Sequence, residues 1–512
     1  MSKKIIAYDL GTGGNKASLI DADGVSLASY FHAYETLYPH AGMHEQRPSD
    51  WWDSIVISTR RLIENSNFDM HDVECLAISG HSLGVVPIDK DGRLLRSSVP
   101  IWSDSRADKQ AEDFFKKTDE ESWYMKTGNG FPAKLYSVFK ILWYRDNEPD
   151  VFEKIYKVLG TKDYINYKLT GKIKTDYSYA SGSGVYDLIN WGYSSELLTA
   201  SGLDITLFPE IVPSTEIIGE LTDEAAQELG LPKSVLVACG GVDNSCMAVG
   251  ARNIKSGSVY LSMGSSAWIA VSDDIPVLDA DSRPFVFTHV IPGMFTSAVS
   301  IFSAGNSFRW LRDTFCQDLI VRAKQNGLNV YDLMTNLAEQ SPTGANKLLF
   351  NPSLAGGSSQ EPNANIRGAF AGLDLSHTRA DIIRASMEGI AMNLGAVLKV
   401  LQSFSDLSDE MIIVGGGSKS KLWRQIFADV FNMKIVKTNI GDEAGSLGAA
   451  AIAAVGCGLW KDFSKVEDIH QIEETLEPES ANHKIYTAIE PDFELLRQFQ
   501  AKLGNSLLNL DF

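Results

Sequence analysis

The sequence predicts an α/β protein built from two lobes, and three observations support this interpretation. The 512 residues exceed what one hydrophobic core usually serves. A strand–turn–strand pattern at residues 3–20 recurs at residues 258–271, which indicates a duplicated lobe. Between the two patterns, a strand-like apolar run ends in the pair Gly240-Gly241. We expect lobes at residues 1–248 and 249–512, with the chemistry at their junction.

The composition limits the classes of partner. Lys and Arg number 46 against 65 Asp and Glu, so the formal net charge is −19. Nonspecific nucleic-acid binding needs a basic surface and is not expected. A phosphate-bearing ligand stays open, because backbone N–H groups can hold phosphate. The uncharged stretch at residues 444–460, rich in Gly and Ala, is too short to cross a bilayer and predicts a closely packed, buried helix.

Cysteine usage and the N-terminal segment indicate the cell compartment. The cysteines are scattered and form no CxxC motif: Cys75, Cys239, Cys246, Cys316 and Cys457. This pattern is typical of a reduced protein. The apolar run at the N-terminus is short and is interrupted by Asp9, unlike a signal peptide. We therefore expect a cytoplasmic protein without a membrane partner.

The first turn of the chain offers a binding site for an anion. Residues 3–30 predict three strands in succession. Between the first two strands, Gly11, Thr12 and Gly13 present backbone N–H groups and a hydroxyl, directly after the acidic Asp9. The P-loop pattern GxxxxGK[ST] is absent. An ordinary hairpin is the alternative interpretation, and the local sequence does not decide between the two.

Two loops of the first lobe carry residues that suit a polar ligand. A predicted strand over residues 73–78 leads into the loop at residues 79–84. Farther on, Trp102, Asp104 and Arg106 stand close together. An apolar ring beside charged hydrogen-bonding groups suits a polyhydroxylated ligand. A surface ion pair beside a packed tryptophan is the alternative.

One carboxylate dominates the lobe junction. The run Val235–Cys239 predicts a strand, Gly240 and Gly241 follow, and Asp243 opens a small-residue segment that predicts a closely packed helix. Burying a carboxylate is costly unless it is paired or used, and glycines let a ligand approach the backbone. We interpret Asp243 as a catalytic base. A solvated aspartate in a strand-end turn is the alternative.

The second half repeats these features. Predicted strands at residues 258–263 and 268–271 flank the hydroxyl-bearing turn Gly264-Ser265-Ser266. A helix is expected to begin near Gly305. A further strand runs into the glycines at residues 415–417, and a helix follows, which is an arrangement typical of nucleotide sites.

Capping residues predict where two helices begin. Ser49 is expected to cap a helix in the first lobe. Thr378 and Asp381 form the sequence pattern of a capping box, and the apolar residues after them are spaced for one buried face.

Two longer stretches resemble the signatures of a known family. Gly368–Leu373 together with Asp381–Glu388 fits the C-terminal signature of the FGGY carbohydrate kinases throughout. Ser137–Trp143, with Lys140, fits the N-terminal signature more loosely. The other motifs stand in the family's order over nearly the whole chain. The resemblance implies the two-lobed, ribonuclease H-like ATPase fold shared by actin, hexokinase and Hsp70.

Within the family, the chain is most similar to xylulokinases. Two segments of the second lobe, His289–Met294 and Arg309–Asp313, also resemble autoinducer-2 kinases. The resemblance implies transfer of the ATP γ-phosphoryl group to a sugar hydroxyl with Mg²⁺, and it is compatible with a homodimer.

The resemblance also implies roles for individual residues. Asp243 would take the hydroxyl proton, and Asp9 and Asp243 would lie near the metal. The residues expected to bind ATP are Gly11, Thr12, Gly13, Gly264, Ser265, Ser266, Gly305, Gly416, Gly417 and Ser420. The residues expected at the sugar are His81, Ser82, Leu83, Trp102, Asp243 and Trp268.

One loop departs from the xylulokinase pattern. Xylulokinases usually carry Met-His where this chain has Ser82-Leu83, preceded by His81. An imidazole that contacts the sugar is therefore missing or moved. D-xylulose is the first expectation, and another short sugar, a polyol or an autoinducer-2 precursor is the alternative.

Two other classes of function compete with a sugar kinase. A catalytically silent sugar-binding regulator could share the fold, but retention of Asp243 counts against it. An Hsp70- or actin-like ATPase with protein partners could share it too, and the signature at residues 368–388 counts against that.

Overall fold

The computed structural model describes residues 3–66, 68–358, 360–508 and 510. The chain divides into two units. The first unit consists of Met1–Ser256, Ser272–Thr296 and Glu443–His470, and the second of Gly257–Val271, Ser297–Asp442 and Gln471–Phe512. The lobes expected at residues 1–248 and 249–512 are continuous stretches, whereas each of these units is assembled from separate stretches.

Strands and helices alternate along both halves of the chain. Through residue 256 the strands are β1 Lys4–Gly11, β2 Gly14–Asp21, β3 Ser26–Ala33, β4 Glu45–Gln46, β5 Val73–Gly80, β6 Val86–Ile88, β7 Val99–Pro100, β8 Lys157–Leu159, β9 Lys174–Asp176, β10 Tyr186–Asp187, β11 Gly192–Tyr193, β12 Glu210–Val212, β13 Ile217–Glu220, β14 Leu236–Ala238 and β15 Gly241–Val242. From residue 257 onward they are β16 Ser258–Met263, β17 Ala267–Asp273, β18 Phe285–Thr288, β19 Phe295–Ile301, β20 Leu349–Asn351, β21 Ala369–Ala371, β22 Glu410–Val414, β23 Lys434–Thr438 and β24 Ile472–Leu476.

The helices cover the sheets. Through residue 256 they are α1 Pro48–Asn65, α2 Asp108–Phe115, α3 Glu120–Thr127, α4 Ser137–Asn147, α5 Pro149–Phe152, α6 Thr161–Thr170, α7 Tyr177–Ala180, α8 Ser195–Ser201, α9 Asp223–Leu229 and α10 Asp243–Gly250. From residue 257 onward they are α11 Gly305–Phe315, α12 Gln317–Asn326, α13 Val330–Ala338, α14 Arg379–Phe404, α15 Lys421–Phe431, α16 Ala444–Gly456, α17 Lys465–Ile469 and α18 Ser480–Leu508.

The main sheet of the first unit contains the predicted N-terminal hairpin. Its strands lie in the order β13-β14-β5-β1-β2-β3. The strands β1, β2 and β3 form an antiparallel meander, and β5 is parallel to β1. The short strand β15 pairs with the end of β5. The carboxyl ends of β1, β5 and β15 therefore meet at one edge of the sheet, where Asp9 faces Ser79 across the β1–β5 pair.

The second unit repeats this order, as the recurring hairpin predicts. Its strands lie in the order β19-β17-β16-β22-β23-β24. The strand β22 is parallel to β16, β23 is parallel to β22, and β24 is antiparallel to β23. In the first unit, β5, β14 and β13 follow β1 with the same senses. A shared strand order with shared directions supports the duplication inferred from the sequence.

The two predicted helix starts have different outcomes. The capping box of Thr378 and Asp381 is confirmed at the start of α14. The Ser49 cap is wrong, because Arg47 occupies the N-cap position and Pro48 is the first helical residue. Proline suits that position, since its φ is already helical and its missing N–H would have had no partner.

The uncharged stretch near residue 450 forms the buried helix α16, as predicted. Residues 444–454 are all buried. A Cβ on Gly448 would lie 1.9 Å from the Cys246 carbonyl oxygen, so the backbones of α16 and α10 touch. This close packing places residues 443–470 in the first unit, although the expected division at residue 248 assigned them to the second lobe. Among the described residues, no helix is long and apolar enough to span a membrane.

Candidate active site

Asp9 lies near the end of β1 and accepts a hydrogen bond from the neighbouring strand. Ser79 Oγ donates to Asp9 Oδ1 at 2.9 Å. A Cβ on Gly445 would lie 2.7 Å from Asp9 Oδ2, so the first turn of α16 reaches the same carboxylate. Burial raises the pKa of Asp9, while the Ser79 hydrogen bond and the charge of Lys16 oppose the shift. The positive end of α16 also favours a negative charge here.

Asp243 is the first residue of α10, directly after β15. The turn before it needs glycine, because Gly240 has φ +76° and a Cβ there would lie 2.2 Å from the Ile78 carbonyl oxygen. Burial raises the pKa of Asp243 to about 7, and the charge of Asp9 adds to the increase. The Asn244 N–H donates to Asp243 Oδ1 at 2.9 Å. A carboxyl group that titrates near neutral pH has the basicity expected of a general base.

The turn after Asp9 is held from outside by three side chains. Gln46 Nε2 donates to the Thr12 carbonyl oxygen at 2.7 Å, and Trp102 Nε1 donates to Thr12 Oγ1 at 2.8 Å. The Tyr34 hydroxyl donates to the Gly11 carbonyl oxygen. A Cβ on Gly13 would meet nothing within 4 Å, so this turn has open space in front of it.

His81 carries a buried nitrogen that the protein does not satisfy. Its ring is 1% exposed and makes an edge-to-face contact with Trp51. Nδ1 lies 3.4 Å from Thr161 Oγ1, while Nε2 finds no hydrogen-bond partner among the described residues. Burial lowers the pKa of His81 to about 4, so the imidazole is neutral. A buried polar atom without a partner is costly, which points to a ligand at this position.

The other loop residues differ in exposure. Leu83 is 1% exposed, has φ +60° and packs in an apolar cluster with Trp123 and Tyr136. Ser82 is buried as well, whereas Trp102 keeps 36% of its surface exposed. The isobutyl group of Leu83 thus fills the core, and its contact with a sugar stays a prediction.

The charged residues beside Trp102 are committed to a buried ion network. Arg106 Nη2 lies 2.7 Å from Asp104 Oδ2 and 2.6 Å from Glu45 Oε1, and the Arg106 and Asp104 side chains are 1% and 0% exposed. Asp104 Oδ2 also accepts from the His44 N–H at 2.7 Å. The pair is therefore buried and not at the surface, and its contacts with His44 and Glu45 hold the loop that carries Trp102.

The second unit contains a cavity of about 400 Å³. Its volume falls in the range of small-molecule sites. The predicted ATP-binding residues that line it are Gly264, Ser265, Gly305, Gly416, Gly417 and Ser420. Ser266 does not line it. The aromatic side chains Phe308, Tyr331 and Trp423 supply apolar walls.

Close backbone contacts explain two glycines of this cavity. A Cβ on Gly305 would lie 2.2 Å from the Gly264 carbonyl oxygen, and one on Gly417 would lie 2.1 Å from Met263 Cγ. The Asn306 N–H donates to the Ser265 carbonyl oxygen at 2.9 Å, which ties α11 to the turn after β16. Both glycines are thus needed for the shape of the cavity.

The predicted sugar residues divide between the units. His81, Ser82, Leu83, Trp102 and Asp243 belong to the first unit. Trp268 belongs to the second unit, where it is half-buried and contacts Tyr260 edge to face.

Sequence reasoning missed the residues that support these sites. The contacts of Gln46 with Thr12 and of Gly445 with Asp9 could not be predicted from local sequence, because the partners are remote in the chain. Lys162 was missed for the same reason, since its partner Cys239, in the segment that leads to Asp243, is 77 positions away.

Comparison with known proteins identifies one family for both halves of the chain. The N-terminal domain of the FGGY family of carbohydrate kinases matches residues 4–250, and its C-terminal domain matches residues 259–457. The xylulose kinase of Staphylococcus epidermidis is 30% identical over 507 residues, which are 99% of each chain. The gluconokinase of Bacillus licheniformis is 28% identical over 494 residues, which are 96% of this chain and 95% of that one.

A solved structure supports the fold. The ligand-bound xylulose kinase of Lactobacillus acidophilus superposes with a TM-score of 0.89 at 26% identity, covering 99% of this chain and 100% of that one. The predicted α/β fold of two domains, of the actin, hexokinase and Hsp70 type, is confirmed.

Proposed function

Because this chain belongs to the FGGY family of carbohydrate kinases and is a sugar kinase, we propose that it transfers the γ-phosphoryl group of ATP to a hydroxyl of a ketose or polyol. D-xylulose is the first candidate, since xylulose kinases match over 99% of the chain. Because a gluconokinase is also similar to this chain, acceptors other than D-xylulose are included in the test. The observation that carries the proposal is Asp243, a carboxyl group with a pKa of about 7 behind a tight glycine turn.

Asp243 acts as the general base in this proposal. Phosphoryl transfer depends on positioning and charge stabilisation, and the acceptor hydroxyl must lose its proton to a nearby group. The raised pKa of Asp243 makes the ionised carboxylate a better proton acceptor than an ordinary aspartate. The glycine turn before it leaves the backbone free of side chains on the approach.

The acidic pair fits Mg²⁺. The pKa of Asp243 is raised by burial and by repulsion from the negative charge of Asp9. A bound cation would offset that repulsion. Protein sites for Mg²⁺ commonly supply one or two carboxylates and leave the remaining positions to water and substrate phosphates. The bound ion would neutralise charge on the phosphates, while Asp9 and Asp243 hold it.

We assign nucleotide to the second unit and sugar to the first. The cavity of the second unit has glycine-lined backbone beside aromatic walls, which suits a planar base with a polar ribose. The turn Gly11–Gly13 of the first unit presents open backbone to a phosphate. The unpaired Nε2 of His81 supplies a hydrogen-bonding group for a sugar hydroxyl.

The test is an ADP-release assay with the purified protein, ATP and Mg²⁺. The acceptor panel contains pentuloses, hexuloses, tetritols, gluconate and autoinducer-2 precursor. We expect ADP release to depend on one or a few of these acceptors. Release that no acceptor stimulates would overturn the proposal and favour an ATPase or a silent binding protein.

A further inference from the structure

A buried cluster of charges lies against the backbone that leads into Asp243. Lys162 Nζ lies 2.7 Å from Asp163 Oδ1 and 3.0 Å from Asp176 Oδ1. The three side chains are 0%, 2% and 0% exposed. Burial by itself would lower the pKa of Lys162, but the charges of Asp163 and Asp176 raise it well above its usual value. The amine is therefore a permanent cation in the core of the first unit.

The cluster reaches the backbone just before the glycine pair. Lys162 Nζ donates to the Cys239 carbonyl oxygen at 3.3 Å, and Asn166 Nδ2 donates to the same oxygen at 2.7 Å. The Gly240 N–H donates to the Ser214 carbonyl oxygen at 3.0 Å, and Ser214 Oγ donates to Asp176 Oδ2 at 2.7 Å. The backbone at residues 239–240 is thus fixed at two consecutive positions.

Ser178 extends the cluster to the residue that precedes Asp243. Its hydroxyl donates to Asp176 Oδ2 and accepts the Val242 N–H at 3.0 Å. Val242 also pairs with Gly80 through β15 and β5. A continuous path of hydrogen bonds and ion pairs therefore runs from Lys162 through Asp176 and Ser178 to the backbone at Val242.

A contribution to folding stability does not by itself explain why the three charges of Lys162, Asp163 and Asp176 are buried. Taking three charges out of water is expensive, and apolar side chains of similar volume often replace a buried ion pair without loss of stability. Fully satisfied buried networks do, however, fix one geometry. Here the geometry that is fixed is the turn that presents Asp243.

We propose that Lys162, Asp176 and Ser178 form a positioning relay that sets the place of the catalytic base by holding the Val242 N–H. The inference rests on the proposed role of Asp243. The relay contacts neither substrate; it acts through the backbone. Loss of the relay should reduce turnover while leaving the binding of both substrates nearly unchanged.

The test replaces Ser178, because removing Lys162 would leave two buried carboxylates without a counter-ion and would unfold the core. Ser178→Ala removes the acceptor of the Val242 N–H. Ser181→Ala is the matched control, since its buried hydroxyl donates at 2.7 Å to the Ser178 carbonyl oxygen, whereas the Val242 N–H donates to the Ser178 hydroxyl. A displacement of a catalytic group by about 1 Å can lower the rate roughly 100-fold. We expect Ser178→Ala to lower kcat roughly 10- to 100-fold with both KM values within about threefold, and Ser181→Ala to keep kcat.

Hydrogen–deuterium exchange at residues 240–246 supplies a readout that does not depend on activity. The relay predicts faster exchange of the Val242 amide in Ser178→Ala than in Ser181→Ala. Equal exchange and equal kcat in the two variants would overturn the relay. A wild type that phosphorylates no acceptor would overturn the proposed function instead, and the exchange comparison would still decide whether Ser178 holds Val242.

Discussion

Trp102 Nε1 donates a 2.8 Å hydrogen bond to Thr12 Oγ1, across 90 positions of the chain. The bond joins the half-exposed tryptophan expected at the sugar to the turn expected at a phosphate. It gives the Trp102 ring a fixed place beside the turn that follows Asp9, within the first unit.

A double-mutant cycle over Trp102→Phe and Thr12→Val measures this bond. Each single change should lower kcat/KM for the sugar several-fold. The double variant should lose less than the product of the two, with a coupling of about 0.5–1.5 kcal/mol, as for one hydrogen bond. Strictly multiplicative effects would show that the bond does not contribute to catalysis.

Lys140 predicts an unusual pH dependence of stability. Its buried amine donates to the carbonyl oxygens of Leu83 at 3.2 Å and Ile101 at 2.6 Å. Burial lowers its pKa from 10.5 to about 7. Between pH 7 and 10.5 the unfolded chain therefore binds more protons than the folded protein, and the contribution of Lys140 to stability increases with pH.

Thermal unfolding of Lys140→Met at several pH values tests this. The Met variant should be less stable than wild type, and the gap should widen by about 1 kcal/mol per pH unit above pH 7. Lys154→Met, at an exposed lysine of the same unit, is the control and should show a constant difference. A constant gap for Lys140→Met would contradict the lowered pKa.

The departure of the His81–Leu83 loop predicts a shifted specificity. A polar sugar site discriminates by leaving its own groups unpaired when the wrong ligand binds. We expect a short ketose or polyol other than D-xylulose to show the highest kcat/KM. Leu83→His should raise kcat/KM for D-xylulose, although an imidazole in that apolar cluster will also cost stability. The prediction fails if D-xylulose is the best acceptor and Leu83→His leaves its kcat/KM unchanged.

Gly416 offers a selective change in the nucleotide cavity. A Cβ there meets nothing within 4 Å, and the residue lines the cavity. Gly416→Val should therefore fold normally, fill part of the cavity and raise the KM for ATP roughly tenfold, since overfilling a packed site costs about 1–3 kcal/mol. Gly441→Val, equally open but outside the cavity, is the control. Equal KM values for ATP in the two variants would contradict the assignment of the nucleotide to this cavity.

Local patterns in the sequence predicted the elements that present the site. Both strand–turn–strand motifs, the helix that begins at Asp243 and the capping box of Thr378 and Asp381 depend on neighbouring residues, and the structure confirms them. The Ser49 cap failed because the helix begins two positions earlier, with Arg47 at the N-cap and Pro48 as the first helical residue. The place of α16 in the first unit depends on its packing against α10, and no local sequence pattern predicts that contact.

The supporting contacts could not be predicted. Lys162 of α6, Asp176 of β9 and Val242 of β15 lie on separate elements and are linked only because these elements pack together in the first unit. The buried Leu83 side chain illustrates the same limit. Leu83 has φ +60° and is 1% exposed, and no local pattern in the loop predicted that burial.

The central claim is that Asp243 is the base of a sugar kinase, and the most direct test is acceptor-dependent ADP release by Asp243→Asn. Loss of a general base lowers the rate roughly 10²–10⁴-fold. Asp150→Asn, an exposed aspartate in the first turn of α5, is the matched control and should keep wild-type turnover. We predict that Asp243→Asn loses turnover in that range while calorimetry still detects ATP binding. Turnover within a few-fold of wild type on the best acceptor would contradict the role of Asp243.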